Sequence, residues 1–472
     1  MERLDTDLLV IGAGSGGLSV AAGAVQMGAR VVLLEGGEMG GDCLNYGCVP
    51  SKALLAAGKA AHAQADGSAF GIAPLTPRVD HAATRAHVAG VIARIAPHDS
   101  VERFEGLGVR VIRAYGRFIS AREVQAGDHV IRARRIVVAT GSSPLVPPIP
   151  GLDGVPFETN ETIFGLAERP EHLLIIGGGP IGMEMAQAHR RLGSRVTVIE
   201  AARALGQDDP ELAALVLERL TAEGVEIVEG AAAAEIAGKA GAITVSTDDG
   251  RRFEGTHLLM AVGRRPNVAR LDLEAAGIET TRAGIKVDAR LRSTNRRVYA
   301  IGDVAGGMQF THVAAYQAGL VIRSALFALP AKQSTAHLPW ATYTDPELAQ
   351  VGLTEAAARQ KYGARLDVLR FDFADNDRAV AERRDIGLIK VMVVGARPVG
   401  ASIVGPQAGE LIALWSLAIV NRLKMGQIAA MVAPYPTLSE INKRVAGVYF
   451  SPRLFDNAFV RTVVGLVQRW LP

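Results

Sequence analysis

The feature that most constrains the fold is a segment that occurs twice. "DLLVIGAGSGGLSVAAGAVQMGARVVLLE" (7–35) and "HLLIIGGGPIGMEMAQAHRRLGSRVTVIE" (172–200) share one plan. Each runs through an apolar stretch, a glycine-rich turn, a helical stretch closing near a glycine, a second apolar stretch and a glutamate. Each therefore reads as a βαβ unit. The glycines fall as Gly12, Gly14 and Gly17, and again as Gly177, Gly179 and Gly182. In such a unit the first allows a tight turn, the second lets backbone approach a pyrophosphate, and the third lets helix and strand pack closely. Phosphate charge is then met by N–H groups at the helix start. Glu35 and Glu200 close the second strands, where a carboxylate can accept from ribose hydroxyls. A lone glycine triplet can be a packing turn. Two, each in full strand–helix–strand context, imply two dinucleotides, and the expected pair is FAD and a nicotinamide cofactor.

At 472 residues the chain is long enough for several domains, and 49% hydrophobic residues can fill their cores. A net charge of +3 is small for this length, so no basic footprint for nucleic acid is expected. The opening "MERLDTDLLVIGAG" enters a strand at once, without the charged, apolar and cleavable regions of a secretory leader. The apolar run "LIALWSLAIV" (411–420) is too short to span a bilayer. These features predict a cytoplasmic protein. "ATGSSPLVPPIPGL" (139–152) reads as a Pro-rich exit from a first domain, and "VGRRPN" (262–267) as a turn out of a second. "STNRRVYAIGDVAGG" (293–307) reads as a loop, a short strand and a turn ending in Asp303. From about residue 336, strand-like "RLDVLRFDF" and "GLIKVMVV" precede helical "AGELIALWSLAIVNRL". The expected fold class is α/β: two Rossmann-like dinucleotide-binding domains plus a C-terminal α+β domain. The expected boundaries are 1–148 for the first part of one dinucleotide domain, 149–268 for the other, 269–335 for the remainder of the first, and 336–472 for the last.

Cys43 and Cys48 are the whole cysteine complement, within "GGDCLNYGCVPSKALL" (40–55). In a reducing compartment such a pair is more often catalytic than structural. Gly47 supplies a flexible link that helps the short loop close to disulfide geometry. "VPSKALLAAGKAAHAQA" then reads as a helix with Pro50 in its first turn. That places Cys48 at a helix N-terminus, where the dipole favours a thiolate. Lys52 lies one turn on, on the same face. The bland alternative is two cysteines packed as small hydrophobes. A structural zinc site would need four ligands, and none of the ten histidines is near in sequence, so no metal site is expected.

The cysteine segment resembles the redox-active disulfide of the class I pyridine nucleotide–disulfide oxidoreductases, which include dihydrolipoamide dehydrogenase, glutathione reductase and mercuric reductase. The resemblance covers essentially the whole chain, because "ATG" (139–141), "VGRRPN", "AIGDV" (300–304) and "TDPELAQVG" (344–352) follow in family order. It implies a homodimer with FAD, NAD(P) and dimerisation domains. It further implies that Cys48 is the thiolate against the flavin and Cys43 the interchange thiol. Lys52 would lie near the flavin, paired with Glu184, and Asp303 would hold the ribityl–pyrophosphate region. Gly116, Thr140, Gly141, Thr311 and Gly263 complete the expected cofactor positions. Pro180 stands where glutathione reductase has a tyrosine lid. Glu200 would repel a 2′-phosphate and so favours NADH, while Arg203 nearby leaves NADPH open.

One departure bears on the electron acceptor. Dihydrolipoamide dehydrogenase and glutathione reductase carry a histidine, and a glutamate five residues on, near the end of the dimerisation domain. Here "VAPYPTLSEINKRVAG" (432–447) keeps the glutamate as Glu440 but has Tyr435 at the histidine position. A phenol with a pKa near 10 does not cycle protons at neutral pH as imidazole does. Loss of a positioned acid–base costs about 10²–10⁴ in rate, so efficient lipoamide or glutathione turnover is disfavoured. A tyrosine here is similar to mercuric reductase. That enzyme also brings a C-terminal cysteine pair, and this chain ends "FVRTVVGLVQRWLP" without one. The expected function is an NADH-dependent flavin disulfide oxidoreductase, mercuric-reductase-like, with a metal ion, quinone or small disulfide as acceptor. Dihydrolipoamide dehydrogenase, true mercuric reductase and a slow flavin-bound redox sensor are the alternatives. In the tail, Phe459, Val460, Val463, Val464, Val467, Trp470 and Leu471 form an apolar helical stripe beside Arg461 and Arg469. Packing on its own dimer is the plain expectation, and contact with a membrane surface or partner, near a quinone pool, is the sharper one.

Overall fold

The computed structural model describes residues 1–471, which form two compact units. The first holds residues 1–177, 188–201 and 231–333, and the second residues 178–187, 202–230 and 334–471.

The first unit opens with strand β1 (Glu2–Ile11), helix α1 (Ser15–Gln26) and strand β2 (Val31–Leu34). Two helices carry the cysteine segment, α2 (Gly41–Asn45) and α3 (Cys48–Ala65). Then come β3 (Arg110–Ile112), β4 (Gly116–Phe118), β5 (Glu123–Ala126) and β6 (His129–Val138). The sheet order is β3-β2-β1-β6-β5-β4, with β3, β2, β1 and β6 parallel. Strand β1 is buried on both sides, as its unbroken apolar run requires. Leu8 and Val10 join one core with Leu33 and Val137, and Leu9 and Ile11 join another with Leu34 and Val138. Successive side chains thus feed opposite faces of one sheet.

The second βαβ unit repeats this plan. A short strand β7 (Ser142–Pro144) precedes β8 (His172–Ile176). Helix α4 (Pro180–Arg191) and strand β9 (Arg195–Glu200) follow. Strand β8 is flanked in parallel by strand β10 (His257–Met260) on one side and by β9 on the other. The "VGRRPN" segment, expected as a turn, forms strand β11 (Arg264–Pro266), antiparallel to β7. Crossed hydrogen bonds explain the difference: Thr140 Oγ1 donates to Asn267 O at 2.8 Å, and Asn267 Nδ2 donates to Thr140 O at 3.0 Å. Strand β12 (Val298–Ala300) extends the first sheet beside β6, and helix α5 (Thr311–Ala325) packs over it with α1.

The second unit is built on a five-stranded antiparallel sheet. Its strands are β13 (Pro339–Thr342), β14 (Glu347–Gly352), β15 (Leu366–Asp372), β16 (Leu388–Val394) and β17 (Arg397–Gly405), in the order β13-β14-β17-β16-β15. Alternate residues Ala349, Val351, Ile389, Val391 and Ile403 meet Trp415, Ile441 and Val445 in one core. The buried Trp415 Nε1 is satisfied by Asn442 Oδ1 at 2.7 Å. Lys390 is also buried and is ringed by Asp209, Glu211 and Glu355 at 2.6–3.1 Å. Helix α6 (Asp377–Ala381) links β15 to β16. The chain closes with α7 (Glu440–Phe455) and α8 (Ala458–Trp470). Among the described residues no helix is long and apolar enough to cross a membrane.

Candidate active site

The glycine turns come first, because the cysteines are docked on one of them. Gly12 and Gly177 have φ of +106° and +111°, and a Cβ on either would lie 2.4 Å from a carbonyl oxygen, that of Ala139 or Ala261. Only glycine fits. Gly14 and Gly179, the second of each set, have nothing within 4 Å of a Cβ position. Helix α1 starts beside Gly14 with no side-chain cap and no acid in its first turn. Open space over unmatched helix-start N–H groups suits a bound pyrophosphate. Glu35 lies just past β2, its two carboxylate oxygens accepting from Ala13 N and Gly37 N at 2.6 Å each. Gly116 is buried in β4, where a Cβ would come within 2.8 Å of the end of the Leu34 side chain.

The cysteine segment rests against the first turn. Gly40 N donates to Ala13 O at 2.9 Å, and a Cβ on Gly41 would sit 2.8 Å from Gly14 Cα. The pair of glycines before Asp42 is therefore set by close backbone approach. Asn45 Nδ2 closes α2 by donating to Met39 O and Gly41 O. Cys48 begins α3, and Thr311 begins α5; their side chains meet at 3.4 Å, Cys48 Sγ to Thr311 Oγ1. Two helix N-termini thus converge on one sulfur, a setting that favours the thiolate. A hydrogen bond from the Cys43 thiol lowers the Cys48 pKa most, Thr311 and the Lys52 charge assist, burial opposes, and the result is about 6. Cys43 is pushed up because its proton is held in that bond. At neutral pH the reduced pair carries one negative charge, centred on Cys48, and one thiol.

Around this pair lies a polar network of which the sequence pointed only to Asp303. Arg264 is its centre. Its guanidinium reaches Asp42 Oδ1 at 2.9 Å, Ser142 Oγ at 2.7 Å and Ser142 O at 2.8 Å. Asn160 Nδ2 donates to the same Asp42 oxygen at 2.9 Å, and Ser142 Oγ donates to Asp303 Oδ2 at 2.5 Å. Arg264 Nε stands 3.8 Å from Asp303, whose pKa is nevertheless raised by burial. The available signal was "VGRRPN", which reads as a turn and as a family motif without pointing to Arg264 itself. Gly141 and Gly263 flank this network with φ of +66° and +124°.

Glu184 is buried on α4 in the second unit, and its Oε1 accepts from Tyr343 N at 3.0 Å. Pro180 is the first residue of α4, and Glu200 the last of β9. Tyr435 is 68% exposed in the single chain. Its hydroxyl donates to Asp377 Oδ2 at 2.7 Å, which holds the phenol above its ordinary pKa. Asp377, at the start of α6, was not singled out from the sequence. Asn376 beside it is buried and donates to Thr437 O at 3.2 Å, so α6 is tied to the tyrosine segment. Glu440 opens α7. Among the described residues no group of three or more His, Cys, Asp or Glu side chains is placed to hold a metal ion.

Residues 6–318 match the family model for pyridine nucleotide-disulphide oxidoreductases, and 338–446 match that family's dimerisation domain. This chain belongs to the pyridine nucleotide-disulphide oxidoreductases. Mercuric reductase of Bacillus cereus is 35% identical over 444 residues, 92% of this chain and 70% of that protein. Dihydrolipoyl dehydrogenase of Geobacillus stearothermophilus is 33% identical over 457 residues, 94% of this chain and 96% of that protein. The Cu(II) complex of RclA, an HOCl-induced flavoprotein disulfide reductase from Escherichia coli, superposes with a TM-score of 0.84 at 28% identity, covering 94% of this chain and all of that one. The expected fold class and family therefore hold. The chain is an NAD(P)H-dependent, FAD-containing disulfide oxidoreductase with a domain for pairing with a second copy.

Proposed function

We propose that this oxidoreductase acts in the cytoplasm as a mercuric-reductase-like enzyme, carrying electron pairs from NADH to the Cys43–Cys48 pair and on to an acceptor other than lipoamide. The observation that carries the reading is the cysteine pair set where two helices begin, Cys48 Sγ lying 3.4 Å from Thr311 Oγ1, an arrangement that favours the thiolate on Cys48 and the proton on Cys43. FAD, when bound, supplies the ring that takes hydride from the nicotinamide and returns an electron pair to sulfur. Gly12, Gly14, Gly17, Glu35 and Asp303 would hold it, and Gly177, Gly179, Gly182 and Glu200 the nicotinamide cofactor. Glu200 supports NADH, because a second negative group would face a 2′-phosphate. Cys48 keeps its charge at the α3 start beside Lys52, and Glu184 is the proposed counter-charge to that lysine. Cys43 is the thiol that meets the acceptor. Cys43 gives up its proton as its sulfur bonds the acceptor and displaces a group from it, a thiolate from a disulfide or a bound ligand from a metal ion. The Cys48 thiolate then attacks the Cys43 sulfur, the disulfide closes, and the pair of the broken Cys43–acceptor bond stays on the acceptor as its two electrons.

Tyr435 and Glu440 are read as the acceptor-side residues contributed to a second copy. The phenol on Asp377 is a fixed hydrogen-bond donor rather than a proton shuttle, which supports a metal ion, quinone or small disulfide over lipoamide. Among these the mercuric reductase relatives and the copper-bound neighbour favour a metal ion. Contact of residues 457–472 with a membrane surface completes the reading and concerns a helix outside the redox site. The test is anaerobic NADH titration of the FAD-loaded enzyme, followed by turnover with Hg(II), Cu(II), a soluble quinone and lipoamide. A long-wavelength absorbance band at two-electron reduction, absent in Cys48→Ser, is expected, with lipoamide the poorest acceptor. No band in the native enzyme, or lipoamide as the best acceptor, would overturn the proposal.

A further inference from the structure

Helix α8 divides its residues cleanly by chemistry. Phe459, Val463, Leu466 and Trp470 form one stripe at helical spacing, and Val460, Val464, Val467 and Leu471 form the adjoining one. Arg461, Thr462, Gly465, Gln468 and Arg469 occupy the opposite side. The apolar arc is thus two stripes wide, broader than the narrow seam of a helix pair. In the single chain none of it is buried; Phe459 and Trp470, at its two ends, are 75% and 76% exposed. Residues 451–457, which join α8 to the packed part of α7, are exposed throughout. Asn457 caps the helix by accepting from Phe459 N and Val460 N, yet a helix of 13 residues is marginal in water without cover.

Three surfaces could supply that cover: the enzyme's own domain, a second copy, or lipid. Its own domain leaves the arc open. The dimerisation-domain match ends at residue 446, short of α8. From 457 to 471 the only charges are Arg461 and Arg469, with no acid among them. Trp and Phe on a wide apolar arc, with only cationic groups behind it, match a helix lying in a membrane interface. At 1.5 Å per residue α8 is about 20 Å long, which suits lying along a bilayer and not crossing it. We infer that α8 docks this oxidoreductase on a bilayer surface bearing anionic phospholipid headgroups. A pair of α8 helices per homodimer strengthens the attachment by making the second insertion intramolecular.

The inference goes beyond the redox reading and is tested without it. Full-length, FAD-loaded enzyme is sedimented with vesicles of phosphatidylcholine alone or mixed with phosphatidylglycerol, at low and high salt. Association with the anionic vesicles about tenfold or more stronger than with neutral ones, weakened by salt, is expected. It is lost in the double variant Val464→Glu, Val467→Glu, both sites being surface-exposed, while NADH turnover with the best soluble acceptor is unchanged. Absence of binding to anionic vesicles, or equal binding to both kinds, overturns the inference. So does a double variant that sediments as a monomer where the parent is a dimer, because a second copy then covers the arc.

Discussion

The cysteine segment and the tyrosine segment are both short loops leading into helices, and they are held in opposite ways. Around Cys43 and Cys48 the neighbours are fixed from several directions. Arg264 joins Asp42 to Ser142, Asn160 holds the same carboxylate, and Ser142 passes the network on to Asp303. The Tyr435 hydroxyl is held by Asp377, and most of its ring faces outward. On the proposed reading, the difference matches the half of the reaction each loop would serve. A sulfur that must ionise near neutrality needs a preorganised surrounding. A residue that meets varied acceptors needs access, and exposure supplies it.

The largest effect should come from changing the open loop into the histidine form. Tyr435→His restores an imidazole five residues before Glu440. Lipoamide turnover should rise by about 10²-fold, the lower end of what a positioned acid–base contributes. Turnover with metal ions should not rise with it. Steady-state assays of the two acceptor classes side by side decide the point. If lipoamide turnover stays flat, the missing acid–base is not what separates this chain from dihydrolipoyl dehydrogenase, and the contrast between the loops loses its functional meaning.

The tied loop predicts a stability effect that the open one lacks. Arg264→Met leaves Asp42 and Asp303 without their cation. The Arg264 side chain is 12% exposed, but Asp42 is 35% exposed, so solvent relieves part of the loss. A cost of about 2–3 kcal/mol is expected, below the about 3–5 kcal/mol typical of a fully buried broken pair. Asp377→Asn, at the exposed tyrosine, should leave the unfolding midpoint where it was. Urea unfolding of the two variants, followed by circular dichroism, compares them directly. Equal midpoints would show that the network orients the cysteines without stabilising them.

How much of this was legible in the sequence follows from how local each feature is. The glycine turns, Cys48 at a helix start and the α8 stripe are written in consecutive residues, and periodicity or spacing recovers them. The Arg264 network draws on positions 42, 142, 160, 264 and 303, which the fold brings together from across the first unit, two of them on the antiparallel β7–β11 pair. No window of sequence contains it. Asp377 lies 58 residues before Tyr435 and looks like any acid at a helix start. The pairing of β7 with β11 was missed for the same reason, since each is a three-residue piece that reads as a turn on its own. Thr311 was legible as a site residue, but its contact with the Cys48 sulfur was not.

That contact sets the smallest of the expected effects. Thr311 Oγ1 lies 3.4 Å from Cys48 Sγ and, as donor, stabilises the thiolate after the Cys43 thiol has done most of the work. Thr311→Val keeps the shape of the side chain and removes the donor. One net hydrogen bond of about 0.5–1.5 kcal/mol converts to a rise of roughly 0.5–1 unit in the Cys48 pKa from its value near 6. The sign fixes where to look. Above the pKa of an ordinary thiol both enzymes hold the thiolate, and far below pH 6 neither does. Only between about pH 5.5 and 7.5 should the variant carry less of it. Long-wavelength absorbance of the two-electron-reduced enzyme, followed against pH, should titrate later in the variant with the same plateau. A lower plateau at high pH would mean that Thr311 positions the sulfur instead of tuning its charge, and the Cys43 thiol, the Lys52 charge and the two helix N-termini would then be the electrostatic basis of the site.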